Sequence, residues 1–339
     1  MYSFKNDYSE GAHPHILNAL IKCNLEQSNG YGLDTYSLQA AQLIRKHLAN
    51  EQAAIHFIAG GTQTNMLALS SWLRPHEAAV AAVSGHIFVH ETGAVEATGH
   101  KVLTIDTADG KIKPNQIQKV LEQHTDEHMV KPKLVYISQP TEVGTIYSKA
   151  ELTALSEFCR TRELYFYVDG ARLASALTAR SNDVTLRDLA ALTDAFYIGG
   201  TKCGALIGEA LVICRRNLQT DFRFFIKQRG AMLAKGRLLG IQFAELFTAD
   251  LYTELGAYAN KMARKIETAL KARNIAFLFN SPTNQLFPIL STAQIAKLQQ
   301  KYDFIIWEKI DDESAAIRLV TSWATCEAAV EEFIADLNC

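Results

Sequence analysis

Along most of this chain, short apolar runs alternate with amphipathic stretches. Residues 54–58, 78–83, 102–105, 134–138, 164–168, 195–198 and 210–214 are short apolar runs bounded by turn residues, and each reads as a strand. Between them, apolar positions recur at helical spacing over 63–73, 90–97, 117–124 and 150–162. Runs that are apolar throughout predict strands buried on both faces. Spaced by helices, they predict an α/β fold with a mostly parallel sheet sandwiched between helices. Upstream, the arm 1–14 is polar. Pro14 suits the first turn of a helix that continues over 15–25, with Ile16, Leu17, Leu20, Ile21 and Leu25 on one face. A turn at Gly30-Tyr31-Gly32 leads to a second helix, capped by Asp34 or Thr35, with Leu38, Ala41, Leu43, Ile44 and Leu48 on its apolar face. Beyond Gly230 the character changes. Long helical patterns cover 238–247 and 257–270, short apolar runs follow at 276–279, 286–290, 304–307 and 317–320, and a helix over 327–337 ends the chain. The pattern divides the protein into an N-terminal arm and helix (1–35), a large α/β domain (36–239) and a smaller C-terminal α+β domain (240–339).

Composition narrows the function classes. The chain has 339 residues, enough for one large and one smaller domain. Its 34 basic and 36 acidic residues leave a net charge of −2 with no basic run, which gives nucleic-acid binding no support. No apolar run approaches the roughly 20 residues that span a bilayer, and the polar opening from Met1 to Asp7 has no signal-peptide pattern. The six cysteines, Cys23, Cys159, Cys203, Cys214, Cys326 and Cys339, are scattered, with neither zinc spacing nor a disulfide framework. A reduced, cytoplasmic protein without a metal site is expected.

Candidate chemistry gathers where the strands end. In an open parallel sheet, ligands bind beyond the carboxyl ends of the strands. The strand at 54–58 is followed by Gly60-Gly61-Thr62, a turn whose bare N–H groups at a helix start suit a phosphate. The strand at 78–83 is followed by Ser84-Gly85-His86 and then Glu91; an imidazole there could stack on a flat ring or relay a proton. The strand at 164–168 runs into Asp169-Gly170-Ala171-Arg172. A carboxylate closing such an apolar run needs a cationic partner, either Arg172 or a protonated ring nitrogen on a ligand. After the strand at 195–198 come Gly199-Gly200-Thr201-Lys202. Desolvation in a glycine-lined turn would lower the lysine's pKa and leave the amine nucleophilic. Taken alone, each motif also reads as an ordinary turn, surface histidine, buried ion pair or solvated lysine. Together they provide a phosphate cradle, a ring stacker, an acid for a ring nitrogen and an amine for an aldehyde, which is the set pyridoxal phosphate requires.

The sequence resembles the threonine aldolase family within the fold type I pyridoxal phosphate enzymes, the group that also holds β-eliminating lyases. The resemblance is carried by 60–65 (Gly-Gly-Thr-Gln-Thr-Asn), His86 with Glu91, 168–172 (Val-Asp-Gly-Ala-Arg), Thr201-Lys202, 317–321 (Ile-Arg-Leu-Val-Thr), and the early Tyr31-Gly32 with Asp34. It covers about residues 6 to 325. It implies a pyridoxal phosphate cofactor bound by the large domain, with Gly61, Thr62 and Thr201 on the phosphate and His86 stacked on the ring. Asp169 would pair with the ring nitrogen, Lys202 would form the Schiff base, and Arg172 would lie beside the phenolic oxygen or the substrate. Arg318 would grip the substrate carboxylate. Two segments depart from the family pattern. Gln139-Pro140-Thr141-Glu142 stands where many members have Asn-Thr-His, whose His contacts the substrate hydroxyl. Lys5-Asn6-Asp7 stands for Arg-Ser-Asp, which makes Asn6 the candidate carboxylate donor.

The implied reaction is retro-aldol cleavage of β-hydroxy-α-amino acids to glycine and an aldehyde, with Lys202, Asp169 and His86 as catalytic residues. His86 is the candidate base for the β-hydroxyl, oriented by Glu91. A homodimer or homotetramer with active sites at the dimer interface is also implied, and Tyr31 and residues near Arg229 and Lys235 are candidates to reach a neighbour's site. A β-eliminating lyase, a racemase or an aminotransferase would use the same core residues. A non-catalytic binding protein would need neither Lys202 nor Asp169, and both are present.

Overall fold

A computed structural model describes residues 1–337; of the six cysteines, Cys339 lies outside them. The seven-stranded sheet has the spatial order Ala54–Ile58, Glu209–Ile213, Ala195–Gly199, Tyr165–Asp169, Lys131–Ser138, Glu77–Ala82, Val102–Ile105. All neighbouring pairs are parallel except the two made by Glu209–Ile213. That exception follows from chain length. A parallel return needs a crossover of about a dozen residues or more, and the link from Gly199 to Glu209 is too short for one. The Lys202 loop therefore turns the chain back at the carboxyl edge of the sheet.

Both faces of the sheet are covered. In Glu77–Ala82 every position is buried; Val80 and Ala82 join one apolar cluster, while Ala79 and Ala81 join the cluster on the opposite face. This two-sided burial is the reason the strands were visible as continuous apolar runs. A second, antiparallel sheet of Ile289–Ser291, Ser314–Val320 and Ile305–Lys309, with Gln285–Leu286 also pairing Ser314–Val320, packs with Leu251–Lys271 and Glu327–Asp336 around a third cluster. The polar arm joins this cluster. Tyr2–Ser3 pairs in parallel with Tyr302–Asp303, and Phe4 is fully buried there.

Several elements differ from the periodicity. The helix expected over 90–97 is a short His86–Val89 turn and a 3₁₀ turn at Glu96–Thr98, because Thr92 and Gly93 adopt positive φ (49° and 69°) and break the helix. The run at 286–290 splits into two strands around Pro288, which has no N–H to donate to a ladder, and the run at 276–279 makes only a bridge, Phe277 to Pro288. The helix expected at 257–270 begins earlier, as Leu251–Lys271. Leu173–Leu177, Leu186–Leu192 and Phe222–Gln228 are helices too short to show a clear period. The first helix ends at Lys22, and Leu17, Ile21 and Leu25 of its expected apolar face are exposed. No helix among the described residues is long and apolar enough to cross a membrane.

Candidate active site

Asp169 ends the Tyr165–Asp169 strand at the carboxyl edge and is 3% exposed. The glycines that follow this strand and end the next make the corner possible. A Cβ on Gly170 would overlap the Tyr197 carbonyl oxygen, and one on Gly199 would overlap the Ala171 carbonyl. Asp169 Oδ2 accepts from the Tyr136 hydroxyl (2.6 Å) and Asn65 Nδ2 (3.0 Å), and Oδ1 accepts from the Ala171 N–H (3.0 Å). Burial works against its charge. Nearby His86 and the hydrogen bonds from Tyr136, Tyr197 and Asn65 outweigh burial and hold the carboxyl below its ordinary value of 3.8.

Arg172 does not neutralise Asp169, although the sequence offered it as one of two possible partners. Its Nε and Nη2 donate to the two carboxylate oxygens of Asp7 (2.7 and 3.0 Å), and Asn284 Nδ2 donates to Asp7 as well (3.0 Å). Asp7 is 1% exposed. Nothing local to the sequence pairs residues 7 and 172. The pair also pins the N-terminal arm beside the site. Removing one partner of a buried ion pair typically costs about 3–5 kcal/mol, so Asp7→Ala is expected to lower unfolding free energy by about that amount at neutral pH. Denaturant titration checks this; a loss of under ~1 kcal/mol would mean that water reaches the pair as it does at a surface.

Lys202, half-buried in its loop, has a pKa below the ordinary lysine value. Burial lowers it first and the Arg172 charge second, while Asp7, Asp169 and Glu209 pull the other way. Its Nζ lies 5.9 Å from the centre of the Tyr8 ring. Thr201 Oγ1 accepts from the Gly208 N–H (3.0 Å), which closes the loop. Glu209, which the sequence did not single out, is 5% exposed and accepts from the Gly200 N–H (3.0 Å). Burial pushes its carboxyl up to about 8 against the pull of Thr201, Lys202 and the Gly200 N–H. The folded chain thus keeps a proton that the unfolded chain releases above its ordinary 4.5, so this group makes stability fall as pH rises from about 4.5 to about 8. Glu209→Gln is expected to remove that part of the decline in the cofactor-free protein. Unchanged pH dependence of the denaturation midpoint would count against it.

His86 Nδ1 bonds Glu91 Oε1 (2.8 Å), and the same oxygen accepts from Asn65 Nδ2 (2.7 Å). Tyr167 donates to Asn65 Oδ1 (3.0 Å). One amide thereby links the carboxylate behind His86 to Asp169. The Glu91–His86 contact was expected; the linking Asn65 and the two tyrosines were not. Tyr136 and Tyr167 sit directly across from each other in neighbouring strands, and buried phenols that need partners were the one available signal.

Arg318 donates through Nε and Nη2 to Gln285 Oε1 (3.2 and 2.6 Å) and lies over the Trp307 ring. Burial, then the Arg172 charge, depress its pKa to about 10; a bound carboxylate would relieve that. Asn6 Oδ1 accepts from the Tyr8 N–H and the Ser9 hydroxyl and caps a local turn. Tyr31 is exposed and lies over Lys227 Nζ (4.8 Å); with Arg223 it lines a cavity of about 240 Å³ that none of Lys202, Asp169 or His86 lines. Within one chain the structure therefore brings Asp169, His86, Lys202, Arg172 and Arg318 together, and leaves Tyr31 elsewhere.

These residues fit pyridoxal phosphate. The Gly61–Trp72 helix begins at Gly60 with no side-chain cap, and the N–H groups of Gly61, Thr62 and Gln63 make no hydrogen bond among the described residues, leaving donors for a phosphate. A Cβ on Gly61 would crowd the Tyr197 hydroxyl at 3.1 Å. Asp169 is a buried anion that forms no ion pair with a lysine or arginine among the described residues, which suits a protonated ring nitrogen, and Glu91 Oε2 is buried without a partner.

The beta-eliminating lyase family model matches residues 7–293. The low specificity L-threonine aldolase of a Pseudomonas species is 31% identical over 99% of this chain and 96% of its own length. The solved Leishmania major threonine aldolase superposes with a TM-score of 0.99 at 50% identity, covering 100% of this chain and 99% of that one. A Thermus thermophilus aspartate aminotransferase variant shares the fold at 13% identity, with a TM-score of 0.74 over 99% of this chain. On sequence, architecture and the residues at the sheet edge together, this chain belongs to the beta-eliminating lyase family, among its threonine aldolases.

Proposed function

We propose that this protein cleaves β-hydroxy-α-amino acids of the threonine and allo-threonine type to glycine and an aldehyde, with pyridoxal phosphate as cofactor. The observation that carries the reading is the pairing, on one sheet edge, of a lysine with a depressed pKa and a buried carboxylate that forms no ion pair with a lysine or arginine among the described residues. The family relationship supports the same chemistry.

Bound at Lys202, the cofactor supplies an electron sink for the pair left at the substrate Cα. We assign the chain's residues these roles. Gly61 and Thr62, at the open helix start, would hold the phosphate, with Thr201 as a further candidate. His86, fixed by Glu91, would lie against the ring, and Asp169 would keep the ring nitrogen protonated. The Lys202 amine, more often neutral than a solvated lysine, is ready to attack a carbonyl. Arg318, whose guanidinium donates to the uncharged Gln285 and forms no ion pair among the described residues, would hold the substrate carboxylate, with Arg172 and Asn6 as further candidates. Orienting the Cα–Cβ bond in this way can contribute ~7–11 kcal/mol at the limit.

The exposed Leu17, Ile21, Leu25, Leu33 and Leu38 support a homodimer or homotetramer, in which Tyr31 reaches a neighbouring subunit's site. Residues 36–239 form the cofactor-binding unit in this reading, and the protein works in the cytoplasm. Incubation with threonine, allo-threonine and phenylserine, following aldehyde and ammonia together, tests the function. Aldehyde with glycine is expected; ammonia with a keto acid would make the protein a β-eliminating lyase instead.

A further inference from the structure

We propose that Glu142 is the catalytic residue that takes the proton from the substrate β-hydroxyl. The inference rests on the aldolase reading and gives the proton-accepting role, for which His86 was the sequence candidate, to Glu142 instead. Glu142 lies on the loop after Lys131–Ser138, at the carboxyl edge of the sheet. Its Oε1 accepts from the Ser138 hydroxyl (2.6 Å) and from the His86 N–H (2.9 Å), so the carboxyl is anchored directly beside His86. The same loop is tied to the carboxylate end of the site: Gln285 Nε2 donates to the Thr141 carbonyl (3.5 Å), and Gln285 Oε1 receives Arg318. Ser281 and Thr283 both donate to the Gly144 carbonyl, and Thr141 N–H bonds Thr145, which makes the loop rigid. Glu142 is thus bonded to the backbone of His86, and its loop neighbour Thr141 is linked through Gln285 to Arg318, so its carboxyl lies on the edge where Cβ of a bound amino acid is expected.

Its chemistry suits the task. No lysine or arginine among the described residues forms an ion pair with it. Burial raises its pKa first and Asp169 adds to the rise, while Ser138 and His86 oppose it. Arg172, Tyr136 and Tyr147 also feel its charge. A carboxyl poised closer to neutrality than usual is a better proton acceptor and returner. His86, whose Nδ1 bonds Glu91, is assigned to the face of the cofactor ring instead. In the step itself the O–H bond breaks and its proton moves to Glu142. The freed pair becomes the second C–O bond of the aldehyde, the Cα–Cβ bond breaks, and its pair stays at Cα until a proton returns there to give glycine.

The competing account is that Glu142 merely caps the His86–Val89 turn. Glu142→Gln separates the two, because the amide oxygen can still accept from Ser138 and from the His86 N–H. Expected for E142Q is a fall in kcat for threonine cleavage of about 10²–10⁴-fold, with KM little changed. Glycine involves no hydroxyl, so its dissociation constant, read from cofactor absorbance, and its α-proton exchange into deuterium oxide should stay near wild type. Ser138→Ala should move the acidic limb of kcat/KM to higher pH, because the Ser138 hydroxyl favours the charged carboxyl. Undiminished cleavage by E142Q, or equal loss of glycine exchange and cleavage, would overturn the proposal alone. Failure of the wild-type holoenzyme to release aldehyde from any β-hydroxy substrate would overturn the aldolase reading and this proposal with it.

Discussion

Lys202→Ala is expected to leave a protein that releases aldehyde at least about 10³-fold more slowly than wild type, because an amine held in place outperforms any amine supplied from solution. Borohydride treatment of the wild-type holoprotein should fix a pyridoxyl group on Lys202, and the variant should carry none. The structural grounds are the loop's position and the depressed pKa. The Lys202 loop closes the sheet edge between two strands, and burial together with Arg172 disfavours the charged amine. The same shift predicts a stability effect in the cofactor-free protein. The unfolded chain holds a proton at this position up to its ordinary 10.5, while the folded chain gives it up earlier. Wild-type stability therefore rises with pH across the interval between the folded pKa and 10.5 through this group, and K202A should lack that rise. A borohydride-fixed label on another lysine, with K202A still active, would remove the central assignment.

Asp169→Asn is expected to reduce turnover by at least about 10²-fold and to weaken cofactor binding. The substitution keeps the shape but takes away the charge, and it turns an NH₂ toward a place where the Tyr136 hydroxyl and Asn65 amide already donate. Because the folded pKa of Asp169 is lowered, the carboxylate stays ionised throughout the neutral range. Its contribution to stability is present above the ordinary 3.8 and is lost as pH falls through the folded value. Wild type and D169N should accordingly differ in the pH dependence of unfolding only in acid. Any activity limb near neutrality must come from another group. Wild-type turnover and cofactor affinity in D169N would show that the buried anion has no part in the chemistry.

Much of the large sheet was legible because its strands are buried on both faces, so each is apolar without interruption, and because ligand-binding edges follow strand ends. Asp169, Lys202 and Gly61 each come directly after such a run, and their place on one edge follows from the strand order. The small unit was less legible. Its strands are short, interrupted at Pro288 and half-exposed at Ile305–Lys309, so the period is weak there.

By itself, then, the sequence determined the parallel α/β architecture and the carboxyl-edge residues, since both are written in local spacing that any one stretch of chain carries. Only the tertiary structure decided that Arg172 belongs to Asp7, that Asn65 joins Glu91 to Asp169, that Glu142 stands against His86, and that Tyr31 lies apart. Those contacts join residues 26 to 165 positions apart. Which of several charged or amide groups finally meet depends on how separate elements pack and on which buried charge still lacks a partner, and no periodicity along the chain records that.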